Sequence, residues 1–217
     1  MGAVEKPAVE FFFDTSCPWS YLALNRVREA AIRAGGLVVY RPVLVDEVLR
    51  RVNPGFPADR TDKLAVRARY QAKDLGDWAR FCGLTLRRPD PWPLRPEWAQ
   101  RGAVVAADAG RGTAYLSTVF AALFADNRDI SDRAVVRALA VEAGLDAPRF
   151  ASGIQEARSL EQVNANTAEL VARGGFGTPT LLVGDDLYFG NDRMPLVEVA
   201  LARLGGMQLV LPGEHGA

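Results

Sequence analysis

Phe11-Phe12-Phe13-Asp14-Thr15-Ser16-Cys17-Pro18-Trp19-Ser20-Tyr21-Leu22 is the stretch whose reading decides the fold. Val9 and Phe11 to Phe13 are aromatic or β-branched and are followed by turn formers, which predicts a strand and then a loop. The period then changes. Leu22, Leu24, Val27, Ala30 and Ala31 recur at mostly helical spacing. The chain therefore reads strand, short loop, helix, with Cys17-Pro18 at the junction. Proline suits the first turn of a helix, where its missing N–H costs nothing. A sulfur at the positive end of a helix is favoured as thiolate, and cysteines so placed have pKa values lowered to about 3.5–7.5. Cys17 is the position where the sequence itself argues for chemistry; the alternative is a small buried hydrophobe.

Working outward, Gly35-Gly36 ends the first helix and Leu37 to Val43 reads as a second, mostly apolar strand, expected to be buried on both faces. Strand, helix, strand makes a parallel pair with a right-handed crossover. Asn53-Pro54-Gly55-Phe56-Pro57 is a loop. Thr61 or Asp62 is placed to cap a long helix reaching about Cys82, and Arg87 to Pro96, with four prolines, is irregular. Helices follow from about Glu97 to Ala109, Thr113 to Ala125, Ser131 to Ala143 and Ala147 to Arg173, the last broken near Ala157, with Ser131 as N-cap and Gly144 as C-cap. After the Gly174-Gly175-Phe176-Gly177 breaker, Thr178 to Val183 and Leu187 to Phe189 read as a hairpin turning at Gly184-Asp185-Asp186. Asn191 or Asp192 is placed to cap a final helix through Leu204. The period switches divide the chain into residues 1–56 and 174–217, of α/β type, and an inserted all-helical segment, 57–173.

Composition narrows the functional classes. The chain has 217 residues and is 49% hydrophobic, enough for a sizeable core. Lys plus Arg and Asp plus Glu both number 26, so no bulk charge draws nucleic acid or an anionic membrane. No apolar run approaches the roughly 20 residues of a membrane span. Two distant cysteines make no disulfide framework, and the N-terminus lacks a basic segment followed by an apolar core; the expected compartment is the cytoplasm. The single histidine, His215, lies in a Gly/Pro-flanked tail, so neither a His-based triad nor a metal cluster is expected. Cys82 reads as a buried core cysteine, Arg87, Arg88 and Arg95 as a solvated loop, and Trp92 and Trp98 as core or pocket wall.

Several stretches together resemble a known family: Phe13 to Ala23, Arg41-Pro42-Val43, Asn53-Pro54-Gly55, Tyr70 to Leu75, Phe176 to Thr180 and Phe189 to Arg193. They resemble the thioredoxin-like superfamily with an inserted helical domain, as in DsbA-like proteins. More narrowly they resemble the 2-hydroxychromene-2-carboxylate isomerase and kappa-class glutathione transferase family. That resemblance implies a cytoplasmic enzyme working on a small-molecule substrate with glutathione, or another low-molecular-weight thiol, as cofactor. It allows a homodimer. It implies that Thr178 offers backbone hydrogen bonds to the cysteinyl part of the thiol ahead of a cis Pro179. It also implies that Asn191 and Asp192 meet the γ-glutamyl end and that Asn53 lies near the ligand; a plain helix cap is the other reading of Asn191 and Asp192. The family usually carries a serine where this chain has Cys17. The place of an oxidoreductase's second cysteine is Ser20, and without a resolving thiol an internal disulfide cycle cannot run. The activity implied first is a thiol-dependent isomerase that adds reversibly to an unsaturated ketoacid. A monothiol thiol–disulfide oxidoreductase, a kappa-type glutathione transferase and a non-catalytic thiol-binding accessory protein are the competitors.

Overall fold

The computed structural model describes residues 6–53, 55 and 65–207. Its centre is β1 (Ala8–Phe13), in which Phe11, Phe12 and Phe13 are all fully buried. Side chains alternate across a strand, so a run of three buried aromatics needs cover on both faces. Val9, Phe11 and Phe13 face a large core with α1 (Pro18–Arg33), α9 (Met194–Leu204) and helices of the long insertion. Phe12 faces a smaller cluster with Val43, Val48, Leu170 and Leu182.

β1 pairs in parallel with β2 (Leu37–Pro42), Phe11 opposite Tyr40, as the strand–helix–strand reading requires. On its other side β1 pairs antiparallel with β3 (Thr180–Val183), which turns back through Gly184 into β4 (Asp186–Phe189). The sheet order is β2-β1-β3-β4. β2 is thus an edge strand, and Val38 to Arg41 are only half-buried, against the expectation of burial on both faces. Arg41 instead pairs with Glu10 of β1 at 2.6 Å.

Between β2 and β3 run α2 (Val45–Val52), α3 (Ala65–Phe81), α4 (Glu97–Asp108), α5 (Gly112–Phe124), α6 (Arg133–Glu142), α7 (Ala147–Gly153) and α8 (Ala157–Ala172). α2 is absent from the sequence reading, although Val45, Val48, Leu49 and Val52 recur at helical spacing over its eight residues; of its side chains only Val48 is buried. The helix-cap positions Thr61 and Asp62, like His215, lie outside the described residues. At α6 the cap is Asp132, whose side chain accepts from the Ala134 N–H, and Ser131 instead accepts from the Arg95 N–H. Gly144 takes the positive φ of a helix stop. The inserted helices share the sheet's core. Tyr21 of α1 packs against both Phe120 and Phe124 of α5, at 5.7 and 5.4 Å between ring centres, and Phe120 lies 6.3 Å from Phe13. This aromatic seam fixes the start of α1 against the helical layer.

The same layer is closed by a near approach at Gly102 of α4. A methyl group there would sit 2.8 Å from the Phe150 ring and overlap the Tyr115 hydroxyl, both groups buried. Gly102→Ala should therefore cost about 1–3 kcal/mol despite alanine's better helix propensity. Urea unfolding of the two proteins measures this; an unchanged midpoint would show that the layer yields.

Candidate functional site

Cys17 occupies the N-cap of α1 with extended backbone, and Pro18 opens the helix. Its sulfur donates to the carbonyl of Thr178 at 3.3 Å, across 161 residues of chain. The antiparallel register of β3 makes this contact, because Thr180 pairs with Phe12 and the preceding Thr178-Pro179 bond, which is cis, lies beside the end of β1. The loop before Cys17 is held by Asp14, which is buried. One carboxylate oxygen of Asp14 accepts from the Ser16 N–H and hydroxyl at 2.8 and 2.7 Å, the other from the Val45 N–H at 2.9 Å.

The electrostatics reverse the sequence expectation for Cys17. Burial pushes its thiol above the ordinary cysteine value. The nearby Thr178 and Ser20 side chains and the Ser20 N–H favour the thiolate without overcoming this, and the Asp14 carboxylate adds to the rise. The two hydroxyls are themselves notable. Ser20 Oγ and Thr178 Oγ1 are buried and carry no satisfied hydrogen bond. Cys17 therefore sits as a protonated thiol among donors that have no committed acceptor.

Beside it opens a cleft of about 510 Å³ lined by residues that include Trp19, Tyr70, Asp74, Trp78, Thr178, Pro179 and the turn Phe189 to Arg193. Asn191 begins a short 3₁₀ turn, Asn191–Arg193, and its side chain does not cap α9. Its Oδ1 and its carbonyl accept from Arg26, the former at 3.1 Å, while its buried Nδ2 has no partner. The Arg26 guanidinium lies over the Trp78 ring at 4.6 Å. Asp192 faces the neighbouring Arg193 at 3.6 Å. Of the sequence-designated residues, Cys17, Ser20 and Thr178 meet at the sulfur, and Thr178, Pro179, Asn191 and Asp192 line the cleft. Asn53 is not among its lining; its side chain accepts from the Gly55 N–H at 3.0 Å. Arg26 and Trp78 were missed: helical spacing marks Trp78 only as apolar, and nothing marks Arg26. Cys82 is half-buried rather than core, its sulfur 3.8 Å from the Leu22 carbonyl. Among the described residues no group of side chains suits a metal ion, and no helix is long and apolar enough to cross a membrane.

The comparisons with known proteins agree with the fold. A model of the DsbA-like thioredoxin domain matches residues 8–202. A 2-hydroxychromene-2-carboxylate isomerase from Pseudomonas putida is 27% identical over 90% of this chain and 95% of its own. A kappa-class glutathione transferase from Caenorhabditis elegans, glutathione S-transferase kappa 2, is 25% identical over 91% and 92%. The crystal structure of a 2-hydroxychromene-2-carboxylate isomerase superposes with a TM-score of 0.79 at 26% identity, covering 91% of this chain and 95% of that one.

The raised thiol makes a pH prediction. Alkylation consumes the thiolate, so the rate at Cys17, followed by peptide mapping, should reach half its maximum above pH 9.0, the ordinary value. A midpoint at or below about 7.5 would restore the reading in which the helix terminus governs the sulfur.

Proposed function

We propose, for a chain that belongs to the DsbA-like thioredoxin-domain family, an enzyme that holds a low-molecular-weight thiol such as glutathione at Cys17 and isomerises an unsaturated ketoacid without net redox change. One observation carries this reading: Cys17 is kept as a thiol between two uncommitted hydroxyls, and the position three residues on is Ser20 instead of a second cysteine. The named relatives, an isomerase and a transferase, support the class.

The residues fit such a ligand. Thr178 and Ser20 stand at the sulfur, and Asn191, whose amide N–H has no partner, lines the same cleft beside Asp192. The chemistry a bound thiol supplies is reversible addition to a conjugated double bond, which becomes single, rotates and is restored when the thiol leaves. Ser20 and Thr178 donate hydrogen bonds toward the ligand's sulfur and favour its charged form, and Cys17 joins them when its S–H turns from the Thr178 carbonyl. Trp19, Tyr70 and Trp78 offer flat apolar walls to a planar substrate and reduce its contact with water. Arg193 is the cation among the residues lining the cleft, and it suits a substrate carboxylate.

An internal dithiol cycle fits these residues less well, because Ser20 cannot resolve a mixed disulfide. The distinction can be tested at Cys17 itself. Cys17→Ser keeps a donor at the sulfur and should retain much of the isomerase activity, whereas Cys17→Ala should lose about 1.5–3 kcal/mol of transition-state stabilisation, the worth of a charge-assisted hydrogen bond. If the Cys17 sulfur were the attacking atom, serine would fail as badly as alanine, and kcat/KM on a chromene carboxylate separates the two cases. Ser20→Cys creates a Cys-Pro-Trp-Cys pair and should confer disulfide reductase activity that the wild type lacks.

A further inference from the structure

Gln100 is a fully buried amide on α4, far in sequence from Cys17, and all of its polar atoms are spent on two backbone segments that meet where β1 and β2 end. Its Nε2 donates to the carbonyl of Phe13, the last residue of β1, at 2.9 Å, and to the carbonyl of Val43, just beyond β2. Its Oε1 accepts from the N–H of Thr15 at 3.3 Å. Phe13 and Thr15 flank Asp14, whose own carboxylate gathers Ser16 and Val45, and the Asp14 carbonyl accepts from the Cys17 N–H at 3.0 Å. Two side chains, Asp14 from within the loop and Gln100 from outside it, thus hold the backbone that delivers Cys17.

We propose that Gln100 is a positioning residue for Cys17: its amide ties the inserted helices to the loop of residues 13–15 and fixes the sulfur against the Thr178 carbonyl. A buried carboxamide with donor and acceptor both engaged is an unusual choice for a core position, where a hydrophobe of the same size packs without polar demands. Its retention is accounted for by what the loop requires. Among the described residues neither the Val43 carbonyl nor the Thr15 N–H has a backbone partner, and an unmet buried backbone group costs as much as a lost hydrogen bond. Because a site group must be held to within a fraction of an ångström, loosening this loop is felt first at the sulfur and only weakly elsewhere. The proposal rests on the reading of Cys17 as the group that handles the ligand's sulfur, but its test does not.

The chain carries its own control, since Cys82 lies outside the loop. Gln100→Met and Gln100→Leu each remove the amide at similar volume and add no charge beside Asp14. In each variant Cys17 should alkylate about tenfold faster, with its pH midpoint falling toward the ordinary cysteine value, while Cys82 stays within about twofold of wild type. A Cys17 rate within about twofold of wild type, or both cysteines accelerating together, overturns the proposal, the second because it reports general loosening. Should neither variant fold, amide exchange of the wild type decides: the Thr15 N–H should exchange as slowly as the interior of α4, and exchange at the rate of an exposed loop overturns the proposal. Calorimetric titration of the wild type with glutathione is run alongside. Absence of binding there counts against the thiol-cofactor reading and leaves the alkylation ratio to judge Gln100 by itself.

Discussion

Everything at the site depends on one strand register. β3 lies antiparallel on β1 with Phe11 opposite Leu181 and Phe12 opposite Thr180. Side-chain period in a strand is two, so a slip of one residue would turn Leu181 out of the core shared with Phe11 and Phe13 and Leu182 out of the cluster with Phe12. The two-sided apolar core therefore locks the register, and the register in turn sets the Thr178-Pro179 turn beside Cys17. A contact spanning most of the chain is fixed by hydrophobic packing one or two residues away from it. The position of the sulfur is thus a consequence of burying Phe11, Phe12 and Phe13.

Burial also decides the state of that sulfur. A helix N-terminus stabilises an anion by about 0.3–1 kcal/mol at an exposed site. One pKa unit is about 1.4 kcal/mol, and burial shifts a fully enclosed group by up to about 3–5 units. The two effects oppose each other at Cys17, which is itself half-buried, and the balance falls on the side of the raised thiol. The donors around it narrow the gap without closing it. A ligand that brings its own sulfur changes the balance, because the hydroxyls of Ser20 and Thr178 then have an acceptor whose charge they can share.

Much of this was readable in the residues. The Phe11–Phe13 run, the switch to helical period at Cys17-Pro18 and the return to strands after Gly174-Gly175 place β1, α1, β3 and β4, and the hairpin at Gly184 follows from its turn residues. What escaped was set by partners distant in sequence. β2 is half-exposed because of its place at the sheet edge, which its apolar composition does not reveal. Asp132 takes the cap that Ser131 is equally suited to, since Ser131 is drawn to Arg95. Arg26 gives no local signal, and it matters only because the fold lays it between Trp78 and Asn191. The thiol of Cys17 was misjudged for the same reason: a helix start can be seen in sequence, and the enclosure around it cannot.

Cys17 stands where the family resemblance implies a serine, and the two residue types differ in a specific physical way. A thiol is a weak hydrogen-bond donor, and a hydroxyl in the same place is a stronger one. Substituting sulfur for oxygen at the ligand's thiol should therefore weaken the hold on a thiolate unless other donors compensate. Ser20 and Thr178 are placed to do so, buried beside the Cys17 sulfur with no competing acceptor. Nor does Cys17 become an oxidant by virtue of its sulfur alone. Disulfide exchange requires a thiolate to attack and a second thiol to resolve, and this site disfavours the first and lacks the second three residues on. A half-buried cysteine beside the Ser20 and Thr178 hydroxyls, with no second cysteine three residues on, lacks the chemistry of an oxidoreductase's paired cysteines.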